Sequence, residues 1–300
     1  MYVIMGATGN TGSVAADTLL AKGEKVRVVG RSAERLERFV KRGAEAFVAD
    51  AKDAAALASA FAGARAVYAL IPPDPMAQDY RAEQETVSDA LAAALDEAGV
   101  THTVVLSSLG AEHASGTGPI AGLHSLEQKL NAIAGLNALY IRAGYFMENF
   151  FMSIPPLQKM GIFGGAIKGE VKISMIATRD IGARAAEWLV NPGFTGKQTR
   201  ELLGQRDLSY NEAAPIIGKV IGKPTLSYSH FPGMLVKMAM SQMGMPGKTA
   251  DLILEMFEAI NKGLVASREG RRAENTTPTT FESFAAEGFA PRFLGKAASA

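Results

Sequence analysis

Short hydrophobic runs alternate with longer amphipathic stretches over the first half of the chain. The short runs predict strands at residues 2–5, 25–29, 46–49, 66–71, 103–106 and 138–142. The stretches between them predict helices at residues 13–21, 33–41, 54–61, 80–98 and 123–134. Strands and helices that alternate in this way indicate an α/β fold, with a doubly wound parallel sheet covered by helices on both faces.

The pattern becomes less regular after residue 150. Pro155 and Pro156, followed by several glycines, predict a loop or hairpin over residues 154–165. Further on, the pattern predicts helices at 181–190 and 210–221, a short strand at 201–203 and a last helix that begins near 278–282. Thr279 and Glu282 have the spacing of a capping box for that last helix. We therefore expect two domains, residues 1–150 and a smaller α+β domain at 151–300 whose chain can cross back to the sheet.

A glycine-rich segment, Gly6-Ala7-Thr8-Gly9-Asn10-Thr11-Gly12, lies between the first predicted strand and the first predicted helix. The first glycine permits a tight turn, the second lets a pyrophosphate approach the backbone, and the third lets the helix pack close to the sheet. The N–H groups at the start of the helix would then face the phosphates. A glycine-rich turn without a ligand is the alternative, but the strand and helix on either side favour a dinucleotide-binding Rossmann domain.

The residues after the second strand predict which dinucleotide binds. An NAD site has a carboxylate there for the ribose hydroxyl, whereas this chain has Arg31 and Ser32, with Arg35 one helical turn further on. A guanidinium suits a 2′-phosphate, and a serine hydroxyl can add a hydrogen bond. We therefore expect NADPH (NADP), with NAD as the alternative in which Arg31 is only a solvated charge.

Other strand ends supply further candidate cofactor contacts. Asp50, followed by Ala51, ends the third strand, where its carboxylate can accept from an adenine amine or cap the next helix. The fourth strand ends in Leu70, Ile71 and Pro72, which we expect beside the bridging phosphates and ribose. Ser107 and Ser108 end the fifth strand, where their hydroxyls either bind the cofactor or close the strand.

Several segments together resemble the NmrA-like branch of the atypical short-chain dehydrogenases. They are residues 6–12, 105–110, 140–150, 177–183 and 203–210, of which Arg-Ala-Gly-Tyr-Phe-Met-Glu-Asn and Arg-Asp-Ile-Gly are the more specific. The resemblance implies a Rossmann domain and a small C-terminal domain with a cleft between them. It also implies two kinds of function, because some relatives reduce quinones, triphenylmethane dyes or phenylpropanoids with NADPH, whereas others bind the cofactor and regulate a partner.

The same resemblance points to a candidate acid. The Tyr-x-x-x-Lys pattern of ordinary short-chain dehydrogenases is missing, because Ser125 stands four residues before Lys129. Isoflavone-reductase-like relatives use a lysine eleven residues before the glycine that ends this helix, and counting back from Gly135 gives His124. Quinone-reductase relatives are similar in having histidine there. The resemblance thus implies that His124 is the general acid, since imidazole titrates near neutral pH. The alternative is a histidine near the helix start that makes a cap contact or faces solvent.

The resemblance places Tyr145 and Asn149 at the nicotinamide end of the cleft. Tyr145 could stack on a ring or donate a hydrogen bond, and Asn149 could orient a substrate carbonyl or cap a helix. Residues 230–265 are rich in methionine, which is typical of adaptable core or of a pocket wall. A pocket wall would favour a bulky apolar or aromatic substrate.

Composition narrows the function further. The 31 basic and 30 acidic residues leave a net charge of +1, so we expect no nucleic-acid partner. The absence of cysteine, and four histidines without ligand spacing, give no metal site. Neither a signal peptide nor a membrane span is recognisable, so we expect a cytoplasmic protein, and whether it forms a homodimer stays open.

The main hypothesis is an NADPH-dependent reductase of quinone-like acceptors. The alternative is an NADPH-sensing regulator that binds a partner protein.

Overall fold

The computed structural model describes residues 1–295. Its strands are β1 (Tyr2–Met5), β2 (Val26–Gly30), β3 (Glu45–Val48), β4 (Ala66–Ala69), β5 (His102–Ser108), β6 (Asn137–Ala143), β7 (Tyr145–Phe146), β8 (Gly164–Gly165), β9 (Ile173–Ile176), β10 (Lys197–Leu202), β11 (Asp207–Leu208) and β12 (Ser229–His230). Its helices are α1 (Asn10–Ala21), α2 (Ala33–Val40), α3 (Ala54–Phe61), α4 (Tyr80–Glu97), α5 (Ile120–Asn131), α6 (Ile154–Met160), α7 (Thr178–Val190), α8 (Tyr210–Val220), α9 (Gly233–Gln242), α10 (Gly247–Asn261), α11 (Phe281–Phe284) and α12 (Ala290–Phe293). Within the described residues, no helix combines the length and the apolar character that crossing a bilayer requires.

A seven-stranded parallel sheet forms the centre of the molecule, in the order β10-β6-β5-β4-β1-β2-β3. Two apolar clusters bury its central strands on both faces, which is why these strands read as continuous hydrophobic runs, whereas the edge strand β3 is largely exposed. The predicted doubly wound Rossmann-type sheet is therefore confirmed, with all six strands expected in the first 150 residues. The strand order reverses between β1 and β4, and ligands of such sheets bind at the carboxyl ends of strands at that point.

The chain returns to this sheet after residue 150. The strand expected at 201–203 is the longer β10, which lies parallel to β6, with Leu202 beside Ala143. The helix α7 that precedes it packs against α1. The division of the chain at residue 150 stays a prediction, and residues 296–300 of the expected C-terminal domain lie outside the described residues.

Two local predictions were wrong. Residues 154–160 form the helix α6 instead of a loop or hairpin, because Pro155 and Pro156 occupy its first turn, where no intrahelical N–H donor is needed. The helix expected to begin near 278–282 is α11, and its cap is Thr280, whose hydroxyl accepts from the N–H of Ser283 at 3.1 Å. Thr279 does not form the expected capping box, since its hydroxyl donates to Asp180 at 2.7 Å.

The Arg-Asp-Ile-Gly segment at the start of α7 has a structural role that sequence reasoning missed. Asp180 accepts hydrogen bonds from the backbone N–H and the hydroxyl of Thr279, which fastens the C-terminal segment to α7. A Cβ on Gly182 would overlap the carbonyl oxygen of Thr11 and lie 2.7 Å from Cβ of Val14. Only glycine therefore lets α7 approach α1 this closely.

We expect Gly182→Ala to lower the free energy of unfolding by about 1–3 kcal/mol, because α7 must move away from α1. Urea denaturation followed by circular dichroism measures this. Gly247→Ala is the matched control, since Gly247 also lies in a helix and a Cβ there meets nothing within 4 Å. Its stability should be unchanged or slightly raised. Equal stability of the two variants would contradict the close packing of α7 on α1.

Candidate functional site

The glycine-rich segment forms a tight turn between β1 and α1. Gly6 has a φ of +60°, which L side chains rarely adopt, and its carbonyl accepts from the N–H of Gly9 at 2.8 Å. A Cβ on Gly12 would overlap that same carbonyl and lie 2.7 Å from its carbon. At Gly9, by contrast, a Cβ would meet only the Gly6 oxygen, at 3.2 Å, so its outer side is open. Gly6 and Gly12 thus have the structural roles that the sequence predicts, whereas the approach of a pyrophosphate to Gly9 stays a prediction.

The N-terminus of α1 leaves donors free above this turn. The first intrahelical bond runs from the N–H of Ser13 to the carbonyl of Gly9 at 3.1 Å, so the N–H groups of residues 10–12 have no acceptor within the helix. Gly9 provides no side-chain cap, and the first turn has no acidic residue. The Thr11 hydroxyl accepts from the buried Tyr68 hydroxyl at 3.0 Å, while Ala7 is fully buried beneath the turn. Free donors over an open backbone fit the pyrophosphate of a dinucleotide.

A groove of about 140 Å³ extends from this turn along the carboxyl ends of β1 to β4. Thr8 and Arg31 line it, and the guanidinium of Arg35 donates to the Thr8 carbonyl at 3.2 Å. The Ser32 oxygen caps α2 by accepting from the N–H of Arg35 at 3.4 Å, which leaves the serine proton available. Two guanidinium groups thus flank the end of the groove where the sequence predicts a 2′-phosphate.

Asp50 and Ala51 line the middle of the groove. The Asp50 carboxylate accepts from the N–H of Lys52 at 2.9 Å, whereas the cap of α3 is Asp53, which accepts from the N–H of Ala56 at 2.9 Å. The alternative that Asp50 caps this helix is therefore wrong. Its contact with an adenine amine stays a prediction.

The far wall of the groove comes from the end of β4 and from α4. Ile71 and Pro72 line it, and the Leu70 side chain packs on Gly6, at 3.1 Å from where a Cβ would stand. Lys52 donates to Glu83 at 2.8 Å and so joins the loop after β3 to α4. Sequence reasoning missed this ion pair, because residues far apart in the chain give no local signal of their contact.

Ser107 belongs to a buried polar network beside the sheet. Its hydroxyl donates to Glu127 at 2.6 Å, Glu127 pairs with Arg142 at 2.7 Å, and Arg142 pairs with Glu112 at 3.0 Å. Ser108 donates to the Leu109 carbonyl at 2.9 Å. Both hydroxyl protons are therefore used within the protein, and a contact of Ser107 with the cofactor stays a prediction.

His124 lies within α5, with Nδ1 2.9 Å from the carbonyl oxygen of Ala111. A carbonyl can only accept, so Nδ1 carries a proton and Nε2 is the nitrogen left for other chemistry. The helix begins at Ile120 with Pro119 as its cap residue, so His124 is not the cap. His124 is partly buried, and it lies outside the residues that line the groove.

Lys129, five residues further along α5 than His124, forms ion pairs with the neighbouring helix α4. Its ammonium group pairs with Glu85 at 2.9 Å and also with Asp89, both on α4. Burial lowers the pKa of Lys129, but the hydrogen bonds to Asp89 and Glu85 outweigh it and raise the pKa overall. An ammonium held in this way is a poor proton donor.

A second cavity, of about 370 Å³, lies in the part of the chain after β6. Its wall is aromatic and aliphatic, and none of the described residues in it is charged. It includes Tyr145 and Asn149, which the sequence singled out, and two methionines of the methionine-rich stretch, Met240 and Met243. Phe231 and Phe257 belong to the methionine-rich stretch that the sequence offered as a pocket wall, whereas sequence reasoning missed Phe150, Phe163, Tyr210 and Tyr228.

The tyrosines of this aromatic cavity are held in fixed positions. The Tyr145 and Tyr210 hydroxyl oxygens are 3.0 Å apart. The Tyr210 ring stacks on Phe150 at 4.8 Å between centroids and lies 4.5 Å from the Tyr228 ring. Burial raises the pKa of Tyr145, and hydrogen bonds from Tyr210 and Asn149 offset only part of that effect. Burial, together with the nearby Tyr145, raises the pKa of Tyr210 well above its ordinary value. Both phenols therefore stay protonated at neutral pH.

The parallel sheet and the open glycine turn at its switch point define a Rossmann-type protein. A sequence model of the NmrA-like family matches residues 2–285, and the chain belongs to that family. The NAD(P)H azoreductase of Xenophilus azovorans is 28% identical over 257 residues, which are 86% of this chain and 86% of the azoreductase. Quinone oxidoreductase 2 of Escherichia coli (strain K12) is 27% identical over 267 residues, covering 88% of this chain and 89% of the relative.

Solved structures show the same fold. The NADPH-dependent quinone oxidoreductase from Escherichia coli, complexed with NADPH, superposes with a TM-score of 0.75 at 24% identity, covering 100% of this chain and 96% of that one. The Citrobacter sp. triphenylmethane reductase complexed with NADP(H) gives a TM-score of 0.75 at 20% identity, over 92% of this chain and 93% of that one. The Rossmann-type α/β fold expected from the resemblance is thus confirmed.

Proposed function

We propose that this protein is an NADPH-dependent reductase of quinone-like or other conjugated, apolar acceptors. The observation that carries the proposal is the aromatic cavity next to the carboxyl end of β6, on the same edge of the sheet as the glycine turn. The names of the relatives support it, since they include an NAD(P)H azoreductase and a quinone oxidoreductase. When bound, NADPH supplies the hydride, and the protein supplies binding, orientation and a proton.

The groove offers a set of groups for each part of the cofactor. The N–H groups at the start of α1 would bind the pyrophosphate, and Arg31, with Ser32 and Arg35, would bind the 2′-phosphate. Asp50 would accept from the adenine amine, and Ile71 would pack beside the ribose. Solved structures of the same fold in complex with NADPH and NADP(H) support the choice of cofactor.

We propose His124 as the proton donor to the reduced acceptor. Its bond to Ala111 fixes the ring and leaves Nε2 to exchange a proton, as a general acid requires. Lys129 is the other candidate on this helix, and its ion pairs with α4 disfavour it. Water can then return a proton to the imidazole after each turnover.

The cavity also bears on the regulator hypothesis. A protein that only senses NADPH can fill the space beside the nicotinamide with its own side chains, whereas a reductase must keep room for an acceptor. An open space of about 370 Å³ without charged residues favours the reductase. Oxidation of NADPH in the presence of quinones, azo dyes and enones tests the proposal, and no turnover with any of these acceptors would contradict it.

We expect NADPH to bind more tightly than NADH, because Arg31 replaces the carboxylate of an NAD site. Arg31→Ala should weaken NADPH binding by roughly 1.5–3 kcal/mol, the range of a charge-assisted hydrogen bond, and leave NADH nearly unchanged. Calorimetric titration with both cofactors measures this. Arg38→Ala is the matched control, since it removes a guanidinium from α2, the helix that follows Arg31, and Arg38 pairs with Asp17 outside the groove. Tighter binding of NADH by the unaltered protein would rule out the assignment.

A further inference from the structure

Four hydroxyl groups line the aromatic cavity, and hydrogen bonds within the protein use three of their four protons. Ser153 donates to the Phe150 carbonyl at 2.6 Å, and Tyr228 donates to the Ile167 carbonyl at 2.8 Å. The remaining two are Tyr145 and Tyr210, whose oxygens share one hydrogen bond of 3.0 Å. Two hydroxyls that share one bond use one proton between them, so one proton is left over.

The direction of this hydrogen bond decides which proton is left, and by distance alone either oxygen can be the donor. The bond lowers the pKa of Tyr145 and raises the pKa of Tyr210, which favours Tyr210 as the donor. A phenol oxygen that accepts a hydrogen bond can still donate its own proton. The uncommitted hydroxyl proton in the wall is therefore that of Tyr145.

We propose that Tyr145 is a specificity-determining residue whose hydroxyl donates a hydrogen bond to the carbonyl or other acceptor atom of a flat aromatic ligand in the cavity. The inference rests on the proposed function and narrows its substrate class to ring systems with a hydrogen-bond acceptor at one edge. The stacked rings of Phe150, Tyr210 and Tyr228 give such a ligand an apolar wall to lie against.

Tyr145 orients the ligand and does not transfer its proton. Burial raises the pKa of this phenol, so the phenolate that a proton transfer would leave behind is disfavoured in the cavity. A donated hydrogen bond, by contrast, requires no change of charge. The bond accepted from Tyr210 also polarises the Tyr145 O–H group, which strengthens its own donation.

The test compares the binding of two unreactive ligands that differ only in a carbonyl, 1-indanone and indane. Calorimetry with the full chain and saturating NADP⁺, which carries no hydride, gives both dissociation constants. We expect 1-indanone to bind about three- to tenfold more tightly than indane, as one net hydrogen bond allows. Tyr145→Phe should remove this preference and leave the affinity for indane unchanged.

Two further variants test whether the preference depends on the Tyr145–Tyr210 hydroxyl pair or on any hydroxyl in the cavity wall. Tyr210→Phe should reduce the preference by a smaller factor, because it removes a partner of the donor and leaves the donor in place. Tyr228→Phe is the matched control in the same wall, and it should keep the preference, since its hydroxyl is bonded to Ile167. In turnover, Tyr145→Phe should raise KM for a quinone by a similar factor while kcat changes less.

Equal affinities for the two ligands in the unaltered protein would overturn the inference, as would binding of neither ligand or an unchanged preference in folded Tyr145→Phe. Circular dichroism checks the fold of each variant, and Tyr210→Phe still tests the pair if Tyr145→Phe does not fold. A protein that prefers 1-indanone through Tyr145 but never oxidises NADPH with any acceptor would support this inference and contradict the proposed reductase.

Discussion

Gly9→Val should abolish cofactor binding without unfolding the protein. The backbone of Gly9 has φ −94° and ψ 177°, an extended conformation that valine adopts readily. A Cβ there meets only the Gly6 oxygen at 3.2 Å, so the fold can accept it with a small shift. The added methyl groups instead occupy the space over the free N–H groups of α1. Losing those charge-assisted bonds costs about 3 kcal/mol or more, which is roughly a hundredfold in the dissociation constant.

Calorimetry with NADPH and thermal unfolding, measured on the same samples, check this expectation. Gly12→Ala is the informative comparison, because a Cβ on Gly12 would overlap the Gly6 carbonyl. That variant should lose stability as well as binding, whereas Gly9→Val should lose binding alone. Normal NADPH affinity in a folded Gly9→Val protein would mean that the glycine turn does not hold the pyrophosphate.

His124→Ala should lower kcat for quinones by ~10²–10⁴, the usual contribution of a positioned general acid. NADPH affinity should change little, because the proton is needed in the transition state and not for holding the cofactor. Cationic dyes, which need no proton when the hydride arrives, should be affected much less than quinones. Steady-state kinetics with one acceptor of each class measure the contrast.

Two variants on the same helix serve as controls. His124→Asn keeps a side-chain amide that can donate to the Ala111 carbonyl but cannot act as an acid, so it should be as slow as His124→Ala. Lys129→Ala should keep quinone turnover, because five helical residues place Lys129 about 140° around the axis from His124. Loss of turnover in Lys129→Ala, with His124→Ala active, would transfer the acid role to the lysine. An equal effect of His124→Ala on quinones and dyes would indicate lost packing.

The cofactor half of the molecule could be predicted because its signals are local. The turn at Gly6–Gly12 reads from adjacent residues, and β1 and α3 have the bounds that the hydrophobic pattern predicts. The doubly wound parallel sheet followed from the alternation of strands and helices. The cap of α3 was less predictable, since Asp50 and Asp53 both precede that helix and only the hydrogen bonds distinguish them.

The aromatic cavity could not be predicted in the same way. The cavity takes its aromatic residues from distant parts of the chain, and no periodicity links Tyr145, Phe163, Tyr210 and Tyr228. The sequence did not predict α6, because two consecutive prolines, Pro155 and Pro156, are typical of a loop as well as of the first turn of a helix. The resemblance identified Tyr145 and Asn149. That Tyr145 and Tyr210 share a hydrogen bond, and that one of their two protons is left for a ligand, could be found only from the side-chain contacts.

The pairing of Leu202 with Ala143 has a consequence for engineering this protein. The chain leaves the central sheet towards the aromatic cavity at these two neighbouring positions, once after β6 and once after β10. The segments that line the cavity, residues 145–167 and 210–257, therefore both follow strands at one end of the sheet. The groove along β1 to β4 shares no lining residue with the cavity. Segments transplanted at these exits from relatives with other acceptors should exchange the substrate range and leave the dinucleotide platform intact, provided that α7 and its Gly182, which pack on α1, are kept.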